Sequence, residues 1–125
     1  MSELKITLDE TKCPCCDENN MSPMSMAKAN AARNLSGIPY IINSAARCRA
    51  KNTEVKGASK SAHVSDKEAG EYAFAFDVSA LDSRTRFKIL KAIFTVGFTR
   101  IGIAKTFIHF DDDPSLDQEV CWLYS

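Results

Sequence analysis

Apolar residues recur at helical spacing in two segments of the chain. The first segment begins at Ser22 and Pro23, a favourable helix start, and closes at Gly37, a residue typical of helix C-termini. The second is predicted to begin at a Ser83 cap and to end at Gly97. The apolar stripes predicted to face the core are Met24, Ala27, Ala31 and Leu35 in the first helix and Phe87, Ile89, Leu90, Ile93, Phe94 and Val96 in the second.

Short apolar or alternating runs predict the strands. They lie at residues 4–8, 38–43, 72–78, 98–104, 106–111 and 119–124, and tight connections between the last three are typical of hairpins. Between residues 44 and 70 the pattern vanishes, and a polar loop of that length in a compact domain tends to be functional. This order favours an α+β fold, a small antiparallel sheet with flanking helices, over a repeating βαβ fold.

Length and composition predict one soluble domain. The 125 residues are 45% hydrophobic and 26% charged, and residues 1–22 are predicted to be an irregular leader containing cysteines. Sixteen basic residues balance sixteen acidic ones, so we expect no attraction to nucleic acid and no membrane insertion. The N-terminus lacks the pattern of a secretory signal, which predicts synthesis in the cytoplasm. A monomer is expected.

The chain contains five cysteines, an odd number that argues against a disulfide framework in a chain without a signal. One hypothesis places a structural zinc on Cys13, Cys15, Cys16 and Cys48. The paired C-x-x-C spacing of such sites is absent, however, which favours buried or reactive thiols.

The two histidines of the chain, His63 and His109, each have carboxylates nearby. A hydrolytic zinc site uses three protein ligands and keeps one position for water, whose pKa the metal lowers. His63, Asp77 and His109 supply two imidazoles and a carboxylate, and adjacent strands can bring the last two together. Their spacing alone does not distinguish such a site from two unrelated histidines with ordinary partners.

Several segments resemble the zinc D-Ala-D-Ala carboxypeptidase family, and in particular its short phage-type members, relatives of L-alanyl-D-glutamate endopeptidases. The segments are GIPYIINSAARC, VKGASKSAH, AFD, SRTRFKILKAIFTVGF and TRIGIAKTFIHFD. In the family signature S-x-H-x-x-G-x-A-x-D, the start matches SAH at residues 61–63 and the end matches AFD at residues 75–77. The resemblance implies a hedgehog/DD-peptidase-like fold with His63, Asp77 and His109 as zinc ligands.

The resemblance also implies two substrate contacts. Arg47, in the sequence SAAR, matches the arginine of the family's S-G-Y-R element, which binds the substrate carbonyl and the negative charge that develops on it. A surface salt bridge is the alternative for this arginine. Ser61 matches a serine that helps hold the substrate, or it hydrogen-bonds within its own loop.

The chain departs from the family pattern at two places. Residues 64–76 separate the first histidine from the aspartate, whereas the family has about six residues there; an insertion in a loop costs little closure entropy. Thr106 occupies the position where larger members carry a glutamate base. Asp111, on the same strand face as His109, is predicted either to act as the general base or to orient His109 as a ligand.

These observations predict a zinc metallopeptidase that cleaves stem peptides of bacterial peptidoglycan, as a D,D-carboxypeptidase or an endopeptidase similar to phage endolysins. Such an enzyme acts on the cell wall, with release from the cytoplasm at lysis. The alternative is a catalytically inactive binding or structural module that has lost its metal. Trp122 and Tyr124 are expected to pack on the sheet rather than to line a peptide groove.

Overall fold

The computed structural model describes residues 6, 11, 13, 21–45, 62–64 and 72–124. Its elements in chain order are α1 (Pro23–Ser36), β1 (Ile42–Ser44), β2 (Ala75–Ser79), α2 (Ser83–Val96), β3 (Arg100–Ile103), β4 (Phe107–Asp111) and β5 (Val120–Leu123). The α+β class is confirmed. The predicted strand at residues 4–8 (except Ile6), most of the leader and most of the loop at residues 44–70 lie outside the described residues. Neither described helix is long and apolar enough to cross a membrane.

The sheet has the strand order β1-β2-β4-β3-β5. Every neighbouring pair is antiparallel except β3 and β5, so the last strand does not form the expected hairpin. After the chain leaves β4 at Asp111, residues 112–119 cross the end of β3 at which Arg100 lies, so β5 pairs with β3 rather than with β4. The new strand then starts at Val120 beside Arg100, whose Nη1 donates to the carbonyl of Asp117 in that connection.

Both helices begin and end with specific capping contacts. Ser22 caps α1 as predicted, whereas α2 is capped by Asp82 rather than by Ser83; each cap accepts from the backbone N–H three residues later. Gly37 and Gly97 end the helices with φ values of 73° and 98°, a left-handed conformation that is unfavourable for other residues. The predicted C-terminal ends of both helices are therefore confirmed.

The predicted buried face of α1 is wrong. Its buried residues are Ser25, Ala29, Ala32 and Arg33, while Met24, Ala27, Ala31 and Leu35 are exposed. Two alanines let α1 lie close to α2, and the buried hydroxyl of Ser25 has a partner because its Oγ donates to Asp112. Packing of small and satisfied polar residues therefore outweighs the simple hydrophobicity of the other face.

The predicted stripe of α2 is correct only in part. Ile89, Ala92 and Ile93 are buried and Leu90 and Val96 are partly buried, whereas Phe87 and Phe94 are 65% and 58% exposed. At about 100° per residue, the two phenylalanines lie on the side of the helix opposite to Ile89.

The core lies between the helices and one face of the sheet. Because side chains alternate along a strand, Phe76 of β2 and Phe110 of β4 point into the core and stack with centroids 5.4 Å apart. Asp77 and His109 are their chain neighbours and therefore project from the opposite face. The candidate site lies on that second face.

Candidate metal centre

One row of residues crosses the sheet perpendicular to the strands. In this row Ser44 pairs with Asp77, Asp77 with His109, His109 with Gly102, and Gly102 with Trp122. The expectation that adjacent strands bring Asp77 and His109 together is therefore confirmed.

His63 joins this row from the loop that precedes β2. The carbonyl of Ala62 accepts a hydrogen bond of 2.8 Å from the N–H of Phe74, which holds residues 62–64 against the approach to that strand. The Nε2 atom of His63 lies 3.2 Å from Oδ1 of Asp77 and 3.3 Å from Nδ1 of His109. The His109 Nδ1 to Asp77 Oδ1 distance is 3.0 Å. Three potential metal ligands thus converge on one point.

Hydrogen bonds fix which nitrogen of each imidazole faces that point. Nδ1 of His63 lies 2.7 Å from the carbonyl oxygen of Ala45 and must donate to it, because a carbonyl oxygen only accepts. Nε2 of His109 likewise donates to Oδ2 of Asp111 at 2.5 Å. The remaining nitrogens, His63 Nε2 and His109 Nδ1, therefore face Asp77 and are the imidazole atoms that would bind a metal ion at this point.

Comparison with known families agrees with this geometry. The sequence model of the peptidase M15 family matches residues 1–111, which include all three converging side chains. The chain belongs to the peptidase M15 family. No curated protein matches it. The chain is thus a peptidase of a zinc-dependent family, and β5 lies beyond the matched residues.

The three donors of this M15 peptidase fit zinc. A tetrahedral zinc ion with bonds of about 2.0–2.1 Å places neighbouring donor atoms about 3.3 Å apart. The three donor separations lie between 3.0 and 3.3 Å. His63 and His109 are 3% and 6% exposed, whereas the side chain of Asp77 keeps 17% exposure, so the approach to the centre is on the Asp77 side.

Asp111 lies behind His109 and is fully buried. Besides His109 Nε2, its carboxylate accepts from the N–H of Asp113 at 3.1 Å and pairs with Nε of Arg100 at 3.0 Å. The imidazole ring therefore separates this carboxylate from the donors' meeting point. Of the two predicted roles for Asp111, the geometry favours orientation of His109 over proton transfer at the centre.

The electrostatics of the M15 peptidase centre keep Asp77 ionised. Burial raises the pKa of Asp77, but hydrogen bonds from His109 and His63 outweigh burial and hold this pKa well below its usual value. Burial lowers the pKa of His109, and hydrogen bonds to Asp111 and Asp77 outweigh it, so the pKa of His109 is raised. Because this pKa is raised, a metal ion competes with the proton at His109 more strongly than at an ordinary histidine.

Other predicted site residues lie outside the described residues or in different surroundings. Arg47 and Ser61 lie outside them, as do three of the four cysteines proposed for a structural zinc; the fourth, Cys13, is buried and forms no disulfide. Asp112, the next residue after Asp111, pairs with Lys28 at 2.9 Å and accepts from Ser25.

Sequence reasoning missed Arg100, Gly102 and the position of Trp122 beside the centre. Arg100 pairs with Asp111, and the ring of Trp122 lies with its centroid 5.4 Å from that of His109. The available signal was Gly102 inside an otherwise apolar strand, since a glycine there indicates close approach of another group.

Proposed function

We propose that this M15 peptidase hydrolyses peptide bonds in the stem peptides of bacterial peptidoglycan, as a D,D-carboxypeptidase or an endopeptidase, with one zinc ion. The ligands would be His63, Asp77 and His109. The observation that carries the proposal is the meeting of two oriented imidazole nitrogens and an ionised carboxylate at separations of 3.0–3.3 Å. An endolysin-like action on the cell wall after release from the cytoplasm is part of the proposal.

Zinc, when bound, supplies positive charge that polarises the substrate carbonyl and lowers the pKa of a water molecule. The chain's own residues hold the ligands in place. The carbonyl of Ala45 and the carboxylate of Asp111 each bind the outer nitrogen of one imidazole, which fixes the ring and makes its inner nitrogen a better electron donor. We assign Asp111 this positioning role.

Substrate binding is assigned to two residues of the polar loop. Arg47 would bind the scissile carbonyl and stabilise the negative charge that develops on its oxygen. Ser61, two residues before the ligand His63, would hold the substrate backbone. Both assignments follow from the family resemblance of the sequence around them.

The inactive-module alternative depends on the long spacing between His63 and Asp77. That spacing does not separate the two side chains, since His63 Nε2 lies 3.2 Å from Asp77 Oδ1. The long spacing is therefore compatible with the proposed ligand set, which supports a functional centre.

The experiment combines metal analysis with hydrolysis of muropeptides. Purified protein is expected to bind about one zinc per chain and to release peptide fragments from purified muropeptides, as detected by mass spectrometry. His109→Ala should lose both properties. Cys121→Ser is the matched control, because Cys121 is exposed and forms no disulfide, and it should keep both. A correctly folded wild-type protein that binds no zinc would overturn the proposal in favour of the inactive module.

A further inference from the structure

In the row of residues that contains Asp77 and His109, Gly102 of β3 has no side chain and so leaves a gap on that face of the sheet. A Cβ atom at this position would lie 2.6 Å from Cε2 of Trp122 and 2.7 Å from Cε2 of Tyr124, closer than any real contact. The two aromatic side chains of β5 therefore occupy the space above β3 that a side chain would otherwise fill. Only glycine leaves that space open.

This gap lets Trp122 contact His109, one of the three converging side chains. Its ring lies next to His109 with centroids 5.4 Å apart, although β3 separates the two strands. Tyr124 continues the surface at 6.2 Å from Trp122, and Phe107 follows at 5.2 Å from Tyr124. Trp122 and Phe107 are only partly buried, and Tyr124 is 44% exposed. An accessible aromatic surface therefore adjoins His109 on its β5 side, across the ring from Asp77.

This aromatic surface, formed by Trp122, Tyr124 and Phe107, has a neutral edge. The guanidinium of Arg100 lies over the Trp122 ring at 5.4 Å, but it pairs with Asp111 and donates to the carbonyl of Asp117. Its charge is thus compensated inside the protein. A charged substrate group placed against these rings would lose water without meeting an uncompensated charge on Arg100, whereas an apolar group would gain.

We infer that Trp122 is a specificity-determining residue that forms the β5-side wall of the substrate site and contacts the methyl group of an alanyl residue beside the scissile bond. This inference rests on the proposed function, since peptidoglycan stem peptides carry alanyl residues between others with charged side chains. It concerns a residue beyond the segment matched by the family.

A purely structural role for Trp122 predicts a different outcome from a substrate-contacting role. If the indole only shields His109, its removal weakens zinc binding or folding and affects all substrates equally. If it forms a wall, its removal abolishes the enzyme's preference for a methyl group at one position of the peptide. Burial of one methyl group against the wall corresponds to about fourfold in kcat/KM.

The test measures kcat and KM at saturating zinc for stem peptides in which each alanine is replaced in turn by glycine. Wild-type enzyme should lose about fourfold in kcat/KM at one position. Trp122→Ala should show no such loss at that position, and Trp122→Phe should keep most of it. Leu123→Ala is the matched control, because Leu123 is the next residue of β5, is 78% exposed and points to the other face. It should behave as wild type.

Trp122 also provides a readout independent of turnover, since it is the only tryptophan of the chain. Stopped-flow mixing with the stem peptide that retains all its alanines should change tryptophan fluorescence before any product forms. The peptide with glycine at the preferred position should change the fluorescence less. An equal glycine penalty in wild type and Trp122→Ala would overturn the wall while leaving the hydrolase intact. If the wild type cleaves none of the peptides, the proposed function fails. The fluorescence titration then decides the inference: a saturable, methyl-dependent change supports it, and no change overturns it.

Discussion

Nε2 of His109 donates to Oδ2 of Asp111 at 2.5 Å, on the side of the imidazole opposite to the nitrogen that faces Asp77. Asp111 in turn pairs with Arg100, so a series of contacts runs from β3 to the candidate metal centre. An aspartate two residues after a histidine on a strand shares its face, but only the ring orientation shows which nitrogen it binds.

Substitution of Asp111 tests its positioning role. Asp111→Ala leaves the outer nitrogen of His109 without an acceptor, so zinc affinity should fall about 10–100-fold. At saturating zinc, most of kcat should return. Competition with a chelator measures the affinity, and Asp117→Asn, an exposed carboxylate of the same connection, is the control. A loss of about 10²–10⁴ in kcat at full zinc occupancy, with unchanged affinity, would instead identify Asp111 as the general base.

The metal-free protein should show a defined pH dependence of stability. The pKa of Asp77 is lowered from 3.8, so its contribution is present above about that pH and is lost as the pH falls through the folded-state pKa. The pKa of His109 is raised from 6.5, so its contribution is present below that pH and is lost as the pH rises through the folded-state pKa. The pair therefore stabilises the metal-free fold most between these two limits.

Zinc should have the opposite preference, because the proton on His109 must leave before the metal binds. The increase in Tm on adding zinc is expected to grow as the pH rises through the pKa of His109. Urea and thermal unfolding with zinc or with a chelator, at a series of pH values, measure both effects. A zinc-dependent increase that does not change with pH would contradict the proposed ligand set.

The close approach at Gly102 predicts a specific pair of variants. Gly102→Ala places a Cβ within 2.7 Å of two aromatic rings, so it should displace Trp122 and destabilise the fold by about 1–3 kcal/mol. In the double variant Gly102→Ala/Trp122→Ala the second substitution removes one clash, and the two free-energy changes should be non-additive. Denaturant unfolding measures them, and simple additivity would show that the two residues do not compete for the same space.

The two faces of α2 should respond differently to truncation. Ile93→Ala removes a fully buried side chain and should cost about 2–5 kcal/mol of unfolding free energy. Phe94→Ala removes a side chain that is 58% exposed, and we expect a change within about 0.5 kcal/mol. Equal losses of unfolding free energy in denaturant would mean that the helix face carrying Phe87 and Phe94 is also buried.

The sequence by itself determined the α+β class, the start of α1, the C-terminal ends of both helices and the placement of Asp77 and His109 on strands. These features depend on local chemistry: capping residues, glycines in the left-handed conformation, and the two-residue period of strands. The same reasoning was wrong about the buried face of α1, since hydrophobicity alone does not show that alanines permit the closest packing or that Ser25 has a partner in Asp112.

Only the tertiary structure decided the orientation of the imidazoles, the position of Asp111 behind His109 and the approach of Trp122 across Gly102. The parallel pairing of β5 with β3 is the physical reason for the last of these, because it places Trp122 in the same row as Gly102, His109 and Asp77. Such contacts join residues far apart in sequence, and no local pattern encodes the distance between them.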